Sequence, residues 1–333
     1  MKKIYLESYD FFRTLPYPKL PKSFFDENLK FVKKLSFNEI KIINGYKNTC
    51  FAFFNKLLLH GKFPIALNMR NYSYKKDCIL PYKKGLEVDK MGKDDIIKSI
   101  YYTINKFDNI FKKMNTLKTI FLYRGMKNRL TNKVITKMKD SCININKKSN
   151  ENILSKINSD NAIQNLTNFT NKPKLTFDNL NVGDIFTYDA HQSTTFDPNV
   201  ATNFLNFWGK DKYQKIFLKI IIKKEDKIPF IFLHDLFFSV SSKKEMLNKL
   251  KNWNKSSAGE FEILLPRNVQ YKIISKKLYS IKRTPNTFEN YFDSKKEHDD
   301  IMFLTLRVLP YEYPKKLNKN YFSKLPEYVI SSK

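Results

Sequence analysis

The stretch Gly259 to Pro266, GEFEILLP, sets two carboxylates two residues apart at the head of an apolar run, and no other two of the thirteen glutamates have that spacing. In an extended strand side chains alternate, so Glu260, Glu262 and Leu264 share one face while Phe261, Ile263 and Leu265 take the other. Two residue rises put the carboxylates about 7 Å apart. That is close enough to address two atoms of one reaction. One could steady a developing positive charge, such as the oxocarbenium ion left when a glycosidic bond breaks, and the other could meet a cationic acceptor. A solvated strand face carries Glu-x-Glu equally well, so the pair alone leaves both readings open.

Two further stretches offer complementary groups. LYRG places Arg124 and Gly125 at a strand end in a chain that uses seven arginines beside 54 lysines. A guanidinium fork grips a diphosphate bidentately where an ammonium offers a point charge, and glycine lets a flat ligand approach the backbone. A strand-end salt bridge followed by a turn is the plainer alternative. QSTTF supplies three hydroxyls in a row, Ser193, Thr194 and Thr195, which could orient a carboxylate by hydrogen bonding. Downstream, Pro198 opens a short helix carrying Phe204, Phe207 and Trp208, aromatics that could wall a ring or simply fill a core.

The elements that must hold these groups divide in two. Ser36-x-x-Glu39 is a capping box that starts an amphipathic helix ending near Gly61, and Asp94 to Met114 carries a second helical pattern. From Lys118 onward the texture changes to short β-rich runs: KTIFLYRGM, VGDIFTYDAHQSTTF, KIFLKIII, EFEILLP, VQYKIIS and IMFLTLRVLP. The expected class is α+β, with helices preceding a sheet-rich core. Residues 1–24, with prolines at 16, 18 and 21, look like an irregular arm. Residues 25–310 form the main domain, with a polar Asn/Lys/Ser-rich insertion near 142–172, and 311–333 look like a tail.

Composition narrows the classes. The 333 residues are 42% hydrophobic, enough for a buried core, and 61 Lys+Arg against 32 Asp+Glu give a formal charge of +29. That field attracts phosphates, although lysines spread along the chain make nucleic acid a possible partner and not the primary one. Three unpatterned cysteines imply neither disulfide framework nor metal site. The N-terminal stretch lacks the continuous apolar segment of a signal peptide, and the greasiest run, Ile228 to Val240, is too short to span a bilayer. A soluble, intracellular protein is expected.

Together, Arg124, the Ser193-Thr194-Thr195 triplet and Glu260-x-Glu262, at two equal intervals of sixty-nine residues, resemble the Arg/Ser-Thr-Ser/Glu-x-Glu class of arginine-specific mono-ADP-ribosyltransferases. LSFNEIKIINGYKNTCFAFFNKLL resembles that family's N-terminal helix, with Tyr46, Phe51 and Asn55 at its spacings. The likeness spans about residues 30–310. It implies two packed sheets around an NAD cleft. In that cleft Arg124 would hold the diphosphate, and Gly125 would meet the nicotinamide amide. Ser193, with Thr194 and Thr195 beside it, would position Glu262, and Phe204 would pack on nicotinamide. Tyr46 and Asn55 would line the cofactor site. Glu262 would contact the nicotinamide ribose, and Glu260 would steer the guanidinium of a target protein's arginine. NAD is the implied co-substrate, without a metal. Thr195 stands where the family has a second serine, and Leu59 where many relatives have arginine. The 142–172 segment and the stretch from about 235 to 258, which holds Trp253, look longer than usual. An NAD glycohydrolase, a basic nucleic-acid-associated protein with an inactive core, and a structural protein of the same fold remain alternatives.

Overall fold

The computed structural model describes residues 2–17, 20, 22–47, 54, 55, 58, 79–87, 91, 93–114, 116, 118–128, 177, 180–206, 214–233, 244, 262–282 and 298–317. Glu260, Phe261, Phe51, Leu59, Gly61, Phe207, Trp208, Trp253, the 142–172 insertion and the tail beyond 317 lie outside the described residues.

Apart from one short N-terminal strand, most helices precede the strands, as the sequence texture predicts. The chain opens with strand β1 (Lys3–Leu6), then α1 (Asp10–Arg13), α2 (Lys22–Lys34), α3 (Phe37–Gly45) and α4 (Lys93–Phe111). The remainder comprises β2 (Ile120–Asn128), β3 (Ile185–Tyr188), β4 (Gln192–Thr195), α5 (Pro198–Asn206), β5 (Gln214–Ile222), β6 (Ile231–Leu233), β7 (Glu262–Leu265), β8 (Val269–Lys282) and β9 (His298–Val308). The fold is therefore a mixed α+β one. Ser36 starts α3 with both halves of a capping box: its hydroxyl accepts from the Glu39 amide, and the Glu39 carboxylate accepts from the Ser36 amide at 2.9 Å.

The strands lie in the order β1-β8-β9-β5-β2-β4-β7-β6, with β3 also on β8. Pairs β1–β8 and β5–β9 are parallel and the others antiparallel. Where two packed sheets are expected, the hydrogen-bonded path is continuous but narrows at one place. A single pair, Tyr123 with Thr195, joins β2 to β4. It connects a larger group of strands to the small β4-β7-β6 group.

Strand alternation sorts the core into two faces. Leu122, Ile216, Leu218, Ile220, Met302 and Leu304 enter a large cluster together with α2, α3 and α4 residues such as Val32, Ile43 and Ile104. Their odd-numbered neighbours Tyr123, Phe217, Ile301 and Phe303 enter a smaller one with Ala201 and Leu205 of α5. The sheet is covered on both sides, so its central strands read as nearly continuous apolar runs.

The N-terminal segment departs from the irregular arm expected of it. Residues 3–6 pair in parallel with Leu278–Ile281 of β8, and Phe12 of α1 is wholly buried against Phe217, Tyr279 and Phe303. Burying one such ring contributes roughly 2 kcal/mol. Prolines mark where this segment cannot be helical, but the strand partner lies at the far end of the chain. The start of the tail is likewise anchored: Asn105 of α4 donates to the Leu317 carbonyl at 2.9 Å and accepts from its amide at 2.8 Å.

Candidate functional site

The narrow junction between the strand groups is where three of the predicted residues, Arg124, Ser193 and Glu262, come together. Thr195, last residue of β4, pairs with Tyr123 of β2 on one side and with Glu262 of β7 on the other. Two strand spacings thus separate the backbone of Glu262 from that of Tyr123, on the order of 10 Å. Arg124 is the next residue along β2, and Ser193 is two residues back on β4, opposite Leu264. Arg124, Ser193 and Glu262, far apart in the chain, share one neighbourhood.

Alternation along β2 turns Arg124 to the face covered by α2, α3 and α4, because Leu122 points there and Tyr123 points to α5. Its guanidinium lies over the Tyr188 ring, 5.6 Å from the centroid. Nη1 is buried and has no hydrogen-bond partner among the described residues. A buried unsatisfied donor costs about 1–3 kcal/mol, and more when it carries charge. An anionic oxygen placed at this nitrogen would remove that cost.

Gly125, on the opposite side of β2, has a packing explanation. An alanine Cβ there would fall 2.0 Å from the carbonyl oxygen of Ala201, so the glycine lets α5 lie directly on the strand. Phe204 stands on that helix with 43% of its surface exposed.

The three hydroxyls divide by position. Thr194 is buried and donates to the Ile263 carbonyl at 2.6 Å, stitching β4 to β7. Thr195 is buried and accepts from the Asp197 amide at 3.0 Å, while Asp197 accepts from the Asn199 amide at 2.8 Å to start α5 behind Pro198. Ser193 alone of the three is partly exposed. The sequence pattern offers three equivalent hydroxyls, but strand pairing and the α5 start give two of them backbone partners.

Glu262 begins β7, with its side chain 12% exposed and Lys47 Nζ 3.6 Å from Oε2. Beyond it Ile263, Leu264 and Leu265 are fully buried, so both faces of β7 are covered after the carboxylate. Tyr46, next to Lys47, is buried; it donates to the His191 carbonyl at 3.2 Å and accepts from Asn55 Nδ2 at 3.2 Å. Burial pushes its phenol far above the ordinary range. The Asn55 hydrogen bond and the charge of Arg124 oppose that shift, and Tyr188 and Glu262 reinforce it. The Tyr46 hydroxyl therefore stands within electrostatic reach of both Arg124 and Glu262. Tyr46 and Asn55 act here as a buttress, each satisfying the other.

Sequence reading misses the layer beneath. Tyr188, Lys47 and Tyr271 belong to common residue types, and His191, one of four histidines, has no telling interval. His191 is wholly buried against Phe107 and Phe111, and its Nε2 lies 3.1 Å from Asp108 Oδ1. Asp108 Oδ2 also accepts from Arg267 Nε at 2.8 Å, and Arg267 Nη2 donates to the Lys315 carbonyl at 2.9 Å. Gln192 donates to the Tyr271 hydroxyl at 2.7 Å. These bonds tie β4, the β7–β8 connection and the start of the tail to α4. His191 sits two residues before Ser193, and Arg267 follows Glu262 by five.

Chemically, the neighbourhood holds one guanidinium with an open buried nitrogen, one enclosed carboxylate and one accessible hydroxyl. The guanidinium nitrogen can take an anionic oxygen, and the carboxylate can face positive charge. Glu260, the predicted second carboxylate, lies outside the described residues. Among the described residues there is no cluster of three metal-ligating side chains and no helix long and apolar enough to cross a membrane.

Neither a protein-family model nor a curated protein matches the chain. Solved structures similar to it include the Vis toxin, an ADP-ribosyltransferase from Vibrio splendidus, at 12% identity with 90% of each chain covered and a TM-score of 0.38. C3stau2 from S. aureus, solved with NAD, is 15% identical, covering 92% of this chain and 100% of that one at a TM-score of 0.39. The SpvB ATR domain from Salmonella is 15% identical, covering 82% and 100% at 0.41. At these identities and scores they lend this chain no residue role.

Proposed function

We propose that this protein is an NAD-dependent mono-ADP-ribosyltransferase that modifies arginine side chains of a target protein. The observation that carries the reading is the buried Nη1 of Arg124, without a hydrogen-bond partner among the described residues, on the residue next to Tyr123, whose backbone lies two strand spacings from that of Glu262 with its enclosed carboxylate. A dinucleotide offers one site the two charges these groups want, a diphosphate and a ribose that turns cationic.

In this reading Arg124 binds the diphosphate and fixes the dinucleotide against the sheet. Glu262 accepts a hydrogen bond from a hydroxyl of the nicotinamide ribose. It steadies the positive charge that develops as the bond from C1′ to the pyridinium nitrogen breaks and its electron pair leaves with nicotinamide. Ser193 orients Glu262. A nitrogen lone pair of the target guanidinium then forms the new bond to C1′. A guanidinium is permanently charged and a poor nucleophile, so a carboxylate must orient it and take its proton, the role given to Glu260. Phe204 supplies an exposed aromatic face on the helix adjoining Gly125.

Labelled NAD and agmatine, incubated with the wild type, Glu262→Gln and Glu260→Gln, test the reading. Glu262→Gln should lose both nicotinamide release and transfer, and Glu260→Gln should lose transfer while keeping some release. Hydrolysis without transfer in the wild type would make the protein a glycohydrolase. Equal activity in all three would refute the assignment.

A further inference from the structure

Lys47 is one of 54 lysines and carries no motif, yet its ammonium reaches a carboxylate in the protein interior. Its side chain is 9% exposed and that of Glu262 12%, at 3.6 Å between Nζ and Oε2. Both backbones are fixed. Lys47 follows Tyr46, whose hydroxyl is held by His191 and Asn55, at the end of a helix started by the Ser36 capping box. Glu262 is paired to Thr195 of β4 and to Leu233 of β6. A lysine stem is long and flexible, and confining it here costs entropy that an exposed ion pair would not repay.

We propose that Lys47 is the positioning residue of Glu262: its ammonium aims the carboxylate and keeps it ionised before any substrate arrives. This rests on Glu262 being the carboxylate that meets the ribose, although the charge pair itself stands without that reading. An enclosed carboxylate is pushed toward its protonated, useless form by loss of water, and a cation in contact opposes that push. Other groups face the pair. Arg124 of β2, laid on Tyr188 of β3, and Glu262 both act on the phenol of Tyr46 at the α3 end, which burial keeps neutral. Ser193 and Thr195 of β4 and Leu233 of β6 bring no charge.

The test compares the wild type with Lys47→Met, which keeps the stem without the charge, and Lys47→Arg, which keeps the charge. The Glu262 carboxyl carbon is followed by NMR against pH, identified by its absence in Glu262→Gln, and nicotinamide release from NAD is followed over the same range. Removing a cation at this range should raise the Glu262 midpoint by about one pH unit or more. The acid limb of the release profile should rise with it, and Lys47→Arg should restore both. An unchanged midpoint in Lys47→Met, or a Lys47→Arg midpoint matching Lys47→Met, overturns the proposal. Should Lys47→Met fail to fold, Lys47→Gln is read in its place against the same expectation. A shifted midpoint in a protein that releases no nicotinamide would keep the charge pair and remove the transferase reading. Release without a shift would do the reverse.

Discussion

Nε2 of His191 lies 3.1 Å from Oδ1 of Asp108, deep in the protein, and Arg267 holds the other oxygen of the same carboxylate. The carboxylate can only accept, so the neutral ring donates its Nε2 proton. Asp108→Asn keeps the shape but leaves the Arg267 guanidinium buried without its counter-charge. Such a break costs about 3–5 kcal/mol, and urea denaturation should show a loss of that size. A change under about 1 kcal/mol, the scale of an exposed pair, would mean that the network adds no more than a surface contact.

The same histidine makes stability depend on pH. Burial holds the His191 imidazole below its ordinary value of 6.5; Asp108 pulls upward and Arg267 pushes downward again. Between the depressed folded value and 6.5 the unfolded chain binds a proton that the native chain does not. His191's contribution is complete above that window and falls as pH drops through it, by at most about 1.4 kcal/mol per unit. Denaturation midpoints measured across the window should therefore slope less in His191→Gln than in the wild type.

Gly125→Ala tests the contact between α5 and β2. A methyl group 2.0 Å from the Ala201 carbonyl oxygen has no space, and the obstacle is backbone. The helix must move, at a cost of about 3 kcal/mol, seen as a lowered thermal midpoint. Because α5 starts from Thr195 and Asp197, the shift should also disturb Glu262 across β4 and slow nicotinamide release.

How far these relationships can be read beforehand depends on their range along the chain. Arg124, Ser193 and Glu262 stand out because their types are rare here or their spacing is unusual, and the capping box of Ser36 and Pro198 at the head of α5 are local signals. The partners of Arg124 and Glu262 are not local. Tyr188 is one of 19 tyrosines and Lys47 one of 54 lysines, and nothing near either marks its role. The Phe12 and β1 contacts depend on strands near the other terminus, so a proline-rich segment reads as loose when it is woven into the sheet. The hydroxyl triplet shows the converse limit: three similar side chains look interchangeable until strand pairing gives Thr194 and Thr195 backbone partners.

Tyr188 is expected to hold Arg124 flat for its ligand. A cation over an aromatic face contributes about 1 kcal/mol in a partly desolvated site. Tyr188→Leu should weaken NAD binding roughly five-fold by calorimetry, and Tyr188→Phe, which keeps the ring, should bind as the wild type does. Equal weakening in both would assign the effect to the hydroxyl.

The central claim is that Arg124 and Glu262 address one dinucleotide. A crystal structure of Glu262→Gln with NAD tests it most directly. The expected result puts a diphosphate oxygen within hydrogen-bond distance of Arg124 Nη1 and the nicotinamide ribose against residue 262. NAD bound elsewhere, or a diphosphate that leaves Arg124 Nη1 without a partner, would contradict the account.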